Sequence, residues 1–312
     1  MRTKWRKLSY QKVLFVRDSR ELSFWAKQKR SNPFYRDWIF IFEAHSTIGL
    51  RPTEAGSEPV FIAETDSEKR YQAEVLSGLT AFDHVICVTD ALTTALAAWS
   101  KGEIKPYLLR HASPLPRLSE APKIKFGEKI TIGYIGQISQ YKGVNVILDS
   151  LRYLPSNFSV RIVGRFPTGE SINSEWLDEY KRDPGLNKRI EFRDPVPIEQ
   201  VASEIDACDI LIQPASGDIL NTNFEAPLKS FDYMVRGKPI VAADVPCHRE
   251  LYRDGVNALL YNSTAEDLAL KIKILAGDPL IASTIACGAW EQSVDNNYSL
   301  RAKKILKIIK SL

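Results

Sequence analysis

The sequence predicts an α/β protein made of two doubly wound parallel-sheet domains facing a cleft, the first of them shortened. Three observations carry this. Short apolar runs rich in β-branched residues recur along the chain, and helical stretches separate them. One Pro- and charge-rich segment, 113–129, interrupts the alternation, after which it restarts. Strands separated by helices pair in parallel, with helices covering the sheet, and 312 residues suffice for two cores of moderate size.

In the first part the expected strands are KVLFVRD (12–18), WIFIFEAH (38–45), HVICVTD (84–90) and PYLLRH (106–111), with helices at 66–82 and 91–100. After the linker the expected strands are KITIGYIG (129–136), SVRIVG (159–164), RIEFRD (189–194), DILIQPA (209–215), KPIVAAD (238–244) and NALLYN (257–262). Helices are expected at 143–153, 198–207, 226–236, 264–276 and 298–311. Sheets of this kind bind ligands at the carboxyl ends of their strands, so the loops there are where chemistry is sought.

Composition narrows the classes. No run approaches the ~18 apolar residues of a membrane helix. The basic start, MRTKWRKLSYQK, has no apolar stretch behind it and does not read as a signal peptide. Cys87, Cys208, Cys247 and Cys287 lack metal-ligand spacing and read as reduced, mostly buried thiols of a cytoplasmic protein. The four histidines are equally scattered, which argues against a zinc site. Residues 1–40 carry 11 Lys and Arg against 3 Asp and Glu, or +8, so the remainder carries −4 of the net +4. With Trp5, Tyr10, Trp25, Phe34, Tyr35 and Trp38, this edge suits an anionic membrane surface or is a solvated face. Nucleic acid is not expected, because the bias is absent elsewhere.

Two constellations stand at strand ends. In GYIGQISQYKG (133–143), Gly133, Gly136 and Gly143 permit a tight turn and close approach of a ligand. The loop opens a helix, and Lys142 adds a positive charge there, as a phosphate site requires. The alternative is a turn with a solvated lysine. In NTNFEAPLKSFDYMVRGKPIVAADV (221–245), Asn221, Thr222 and Asn223 form a polar turn before a helix near Ala226 or Pro227. Asp232 on that helix can accept two hydrogen bonds from a vicinal diol, with Lys229 on the same side. The alternative is a surface Asp–Lys pair.

The stretches YIGQISQYKGVNVILDSL and APLKSFDYMVRGKPIVAADVPCHREL resemble the retaining family 4 (group 1) glycosyltransferases of the GT-B fold, with its two Rossmann-like domains. VLFVRDSRELSFWA, FIFEAHS and SLRAKKILKII extend the likeness from about residue 13 to the end. The resemblance implies an acceptor-side domain at 1–122, a nucleotide-sugar domain at 123–295, and a terminal helix at 296–312 packing back on the first. It implies a metal-independent sugar transferase with no cofactor, using a UDP- or GDP-linked donor and a carbohydrate or lipid-linked acceptor. It places the donor diphosphate on Gly136, Gln137, Lys142 and Lys229, the ribose on Asp232, and the base along Arg193, Pro195 and Val196. Glu225 and Asn223 fall on the sugar side, and His45, with Glu43 two residues before it on one strand face, on the acceptor side. His45, Lys142 and Asp232 are thus the expected catalytic residues.

The chain departs from the family pattern in four places. Asp232 stands where a glutamate is usual, and Phe224 where many members have a second one. Gln137 replaces a frequent arginine, and the first domain opens with fewer strands. These departures motivate a second expectation, a non-catalytic nucleotide-binding relative or scaffold subunit. A two-domain receptor of the periplasmic type is disfavoured by Lys142 and the missing signal peptide.

Overall fold

The structure, a computed structural model, describes residues 12–52, 61–167, 175–215 and 219–311, without the side chains of 52 and 219–221. Trp5, Tyr10 and the side chain of Asn221 lie outside them. The chain forms two compact units, Met1–Arg110 with Lys304–Leu312, and His111–Lys303. The 113–129 segment is thus counted with the second unit.

In the first unit the strands are β1 (Lys12–Val16), β2 (Trp38–Ala44), β3 (Arg51–Pro52), β4 (Phe61–Ile62), β5 (His84–Cys87) and β6 (Tyr107–Leu108). Four of them form a parallel sheet ordered β1-β2-β5-β6, while β3 and β4 pair antiparallel apart from it. Strand alternation divides β2 between two faces. Phe40 and Phe42 each lie 5.7 Å from the ring of Phe82, on the face where Trp25 of helix Leu22–Ser31 also meets Phe40. Ile39 and Ile41 point the other way and pack with Ile86, Leu109 and the returning Ile305, Ile308 and Ile309 of the terminal helix. Asp83 fixes the start of β2: its Oδ2 accepts from Phe40 N at 2.7 Å and Lys29 Nζ at 2.8 Å. Helix Asp66–Leu79 starts with a reciprocal cap, Glu68 N donating to Thr65 Oγ1 and Thr65 N to Glu68 Oε2.

In the second unit β7 (Ile130–Ile135), β8 (Phe158–Val163), β9 (Ile190–Arg193), β10 (Ile210–Gln213), β11 (Ile240–Ala243) and β12 (Leu259–Tyr261) form one parallel sheet. Its order, β12-β11-β10-β7-β8-β9, reverses direction between β7 and β10. The central strands are buried, with Ile132, Tyr134, Ile162, Ile210 and Ile212 at 0% exposure, as a sheet covered on both faces demands, while the edge strand β9 is mostly exposed. Arg189 closes one corner, its guanidinium donating to the carbonyls of Phe158, Leu151, Leu154 and Pro155.

Helices Leu22–Ser31 and Pro279–Gln292 fall where no helix was expected. The first buries only Leu22 and Ala26, too narrow a stripe to show in a polar segment. The second buries Ala282, Ile285, Ala286 and Ala289 on one face, but exposed Leu280 and Ile281 on the other side blur that stripe in the sequence. Its cap was nevertheless legible, with Pro279 first and Asp278 Oδ1 accepting from Leu280 N and Ile281 N. Among the described residues no single helix is long and apolar enough to cross a membrane.

Candidate functional site

The reversal of strand order between β7 and β10 opens a crevice at the carboxyl ends of the second sheet, the place where such sheets take ligands. The backbone leaving β7 is stitched to the backbone leaving β8: Gly136 N donates to Val163 O at 2.9 Å and Ile138 N to Arg165 O at 2.9 Å. Tyr233 and Tyr134 brace the turn from below, through Ile135 N to Tyr233 Oη and Tyr134 Oη to Gln137 O, both 3.0 Å. A Cβ on Gly164 would fall 1.8 Å from Gly136 O, so only glycine allows these two strand ends to touch. A cavity of about 620 Å³ results, with Gly136, Gln137, Arg165, Phe166, Pro195 and Val196 in its walls. That volume is ordinary for a small-molecule site.

The loop closes at Gly143, whose φ of +73° and position against Ala215 O exclude a side chain, since a Cβ would lie 2.7 Å from that oxygen. Just before it, Lys142 Nζ lies 2.9 Å from Glu225 Oε1. Lys229 arrives from helix Leu228–Val235, its Nζ 5.0 Å from the centroid of Tyr134 and its Cε 3.1 Å from where a Gly136 Cβ would stand. Burial pushes the Lys229 ammonium down to about 8; Glu225 pulls it back up and Lys142 lowers it further. His248 donates or accepts through Nδ1 at 2.8 Å from Ala243 O, and burial, the largest influence, pushes it down to about 4. It is therefore neutral near pH 7 and adds no charge to the cluster. Two ammonium groups around one carboxylate leave a net positive charge beside the cavity, a setting that attracts a polyanion.

Asp232 is half-buried, and its Oδ1 accepts a hydrogen bond of 2.6 Å from Ser113 Oγ. Burial raises its carboxyl to about 6, against the lowering influence of that hydroxyl. Asp232 and Lys229 do not pair with each other among the described residues; each has its own surroundings. Pro195 and Val196 line the cavity, whereas the Arg193 guanidinium is turned away onto Glu191 and Glu204, 3.4 and 3.1 Å distant. The expected polar turn at 221–223 is instead the end of a short helix, Ile219–Phe224, which carries Asn223. Phe224 is buried at 2% exposure, so it is the next residue, Glu225, that meets Lys142.

In the first unit, Glu43 is wholly buried at the end of β2, and its Oε1 lies 2.7 Å from His45 Nε2 and 3.1 Å from Arg17 Nε. Arg17, Ser113, Tyr134, Phe166 and His248 were not foreseen as site residues. Ser113 falls in the Pro-rich segment and Tyr134 inside a strand, so neither position signals a site. Arg17 follows β1 at its carboxyl end, which is a legible place. Cys87, Cys208 and Cys247 are buried, and burial pushes each thiol up to about 12, leaving them unreactive.

Residues 129–278, within the second unit, match the family model described as Glycosyl transferases group 1. Curated relatives include the D-inositol 3-phosphate glycosyltransferases of Corynebacterium efficiens and Geodermatophilus obscurus. The first is 29% identical over 119 residues, 36% of this chain and 26% of the relative; the second is 25% identical over 183 residues, 54% and 39% respectively. The matched stretches thus span well under half of either relative's length. Among solved structures, Anabaena HepE in complex with UDP is 18% identical with a TM-score of 0.72, covering 96% of this chain and 79% of that one. Sucrose-phosphate synthase of Thermosynechococcus elongatus is 16% identical with a TM-score of 0.72, covering 98% and 74%. These likenesses establish the fold, that of the GT-B glycosyltransferases.

Proposed function

We propose that the protein transfers a sugar from a nucleoside-diphosphate sugar to an acceptor with retention of anomeric configuration. The observation that carries this reading is the placement of Lys142 and Lys229 beside the cavity walled by Gly136, Gln137, Pro195 and Val196. The base and ribose occupy the cavity, with Pro195 and Val196 against the base. The diphosphate reaches the two lysines, displacing the Glu225 carboxylate from Lys142. Asp232 takes the ribose diol through the oxygen that Ser113 leaves open. Glu225, once displaced, and Asn223 face the sugar. That HepE was solved with UDP and with UDP-glucose supports a uridine donor; GDP is the alternative base.

In this mechanism Lys142 and Lys229 offset the charge that builds on the leaving diphosphate, a preorganised electrostatic contribution in place of a divalent ion. The acceptor hydroxyl attacks on the face the diphosphate leaves, and its proton passes to the departing phosphate oxygen. The scheme needs no cofactor beyond the donor and no protein nucleophile. His45, held by Glu43, belongs to the acceptor side. The buried thiols fit a cytoplasmic setting, and the basic, aromatic-containing composition of residues 1–40 fits peripheral contact with an anionic membrane carrying a lipid-linked acceptor.

A second reading has a specific observation behind it: Phe224 is a core residue where many family members place an acid. On that reading the chain binds nucleotides without turnover. Incubation with UDP-glucose and GDP-mannose under a panel of phosphorylated and neutral acceptors, followed by release of UDP or GDP, separates the two. Acceptor-dependent nucleotide release with an α-linked product supports transfer; saturable binding without release from any donor supports the second reading.

A further inference from the structure

We propose that the first unit holds an anion site on Arg17, and that the acceptor therefore carries a phosphoryl group. The word acceptor rests on the transferase reading above; the anion site does not. Arg17 follows β1 at the carboxyl end of the first sheet, the end at which parallel sheets present ligand-binding loops. Its Nε faces Glu43 Oε1 at 3.1 Å and His45 Nε2 at 2.9 Å. The three atoms form a triangle: Arg17 Nε–H donates to His45 Nε2, and the Glu43 oxygen lies within ion-pair distance of both nitrogens.

The consequence lies in what remains of the guanidinium. Its Nε is held by the hydrogen bond to His45 and by a carboxylate whose side chain is 1% exposed, and together these set the plane and direction of the group. Its two terminal nitrogens have no partner among the described residues, and the side chain is 61% exposed. Other arginines on this end of the sheet differ. Arg20 Nε and Nη2 are closed on Asp18, and Arg110 Nη2 lies 2.6 Å from Asp90. At Arg17 the carboxylate lies against Nε alone among its nitrogens, leaving the terminal pair on an exposed side chain. That pair matches two oxygens of one phosphoryl group, and a buried carboxylate behind a guanidinium supplies the orientation that makes such recognition bidentate. Glu43 is thus a positioning residue for Arg17 and His45 together.

The experiment is a calorimetric titration of the full chain with glycerol 1-phosphate and with glycerol, UDP being present at saturation so that the lysine cluster is occupied. Saturable binding of glycerol 1-phosphate, absent for glycerol, is expected. Arg17→Gln should weaken it about tenfold or more, the loss of a bidentate charge-assisted pair, while Arg17→Lys recovers part. Unchanged UDP affinity in Arg17→Gln shows that the variant is folded. Equal glycerol 1-phosphate affinity in wild type and Arg17→Gln, or none in the wild type up to ~10 mM, overturns the proposal. A second arm uses phosphatidylcholine vesicles with and without phosphatidic acid. Arg17-dependent retention on the acidic vesicles assigns the phosphate to a lipid, and its absence alongside glycerol 1-phosphate binding assigns it to a soluble ligand. Should UDP fail to bind, the titration is run without it; Arg17-dependent binding then upholds the anion site while the transferase reading falls.

Discussion

Glu225 occupies Lys142: the carboxylate oxygen lies 2.9 Å from the ammonium nitrogen, 83 residues apart in the chain. Neither group is deep in the core, with side-chain exposures of 19% for Lys142 and 30% for Glu225. An internal carboxylate on the cation that we assign to a diphosphate is a competitor for the ligand. Glu225→Gln should therefore tighten UDP binding by about two- to tenfold, roughly 0.4–1.4 kcal/mol, by freeing that charge. Transfer from the full nucleotide sugar should fall in the same variant if the carboxylate faces the sugar. Weaker UDP binding in Glu225→Gln would show that the pair orients Lys142 and does not block it.

Lys229 gives the site an alkaline limit. Burial holds its ammonium at about 8, below the ordinary lysine value, so its charge fades as pH rises through 8. UDP affinity should decline over pH 7.5–9, and Lys229→Met should abolish that decline. The folded state disfavours the charged form, so this lysine costs stability below pH 8 and the cost vanishes above the unfolded value. Lys229→Met should accordingly raise Tm at pH 7, by an amount equivalent to about 1 kcal/mol, with no gain near pH 10.5. Both are read by calorimetry across pH.

Asp232 gives an acid limit of a different kind. Its carboxyl is raised to about 6 by burial, so the diol-binding ionised form is lost as pH falls through 6. UDP affinity should drop between pH 7 and 5, whereas 2′,3′-dideoxy-UDP should show no such limb from this residue. Asp232→Asn should make the two ligands equivalent. Parallel acid limbs for both ligands in the wild type would reject the diol role.

Gly164 sets the width of the crevice. A methyl there would overlap Gly136 O at 1.8 Å, and the contact is backbone against backbone. Gly164→Ala should push β7 and β8 apart at their carboxyl ends, costing several kcal/mol, on the order of 3. Loss of UDP binding should accompany a lowered urea midpoint. A variant of wild-type stability and affinity would mean that the loops adapt freely.

The alternation that defines the second sheet was legible because its central strands are buried on both faces and read as continuous apolar runs, KITIGYIG and KPIVAAD among them. Leu22–Ser31 packs through a narrow surface, and in Pro279–Gln292 exposed Leu280 and Ile281 blur a buried stripe made mostly of alanine, so neither helix had a clear period to read. Of the site, Gly136, Gln137, Lys142, Pro195 and Val196 could be placed from strand ends and the resemblance. For Arg193 the sequence shows which loop it enters but not that its guanidinium pairs with Glu191 and Glu204. Ser113 meets Asp232 across 119 residues, a pairing only the folded chain reveals. Glu43 and His45 were placed on one face by strand period alone, and the 2.7 Å contact between them agrees.

The most direct test of the central claim is calorimetric titration of the full chain with UDP and GDP, with Lys142→Ala measured beside it. The account predicts saturable binding of one of these nucleotides, weakened in the variant by ~1.5–3 kcal/mol, the worth of a charge-assisted hydrogen bond. An identical dissociation constant in Lys142→Ala, or no binding of either nucleotide to the wild type, would contradict it.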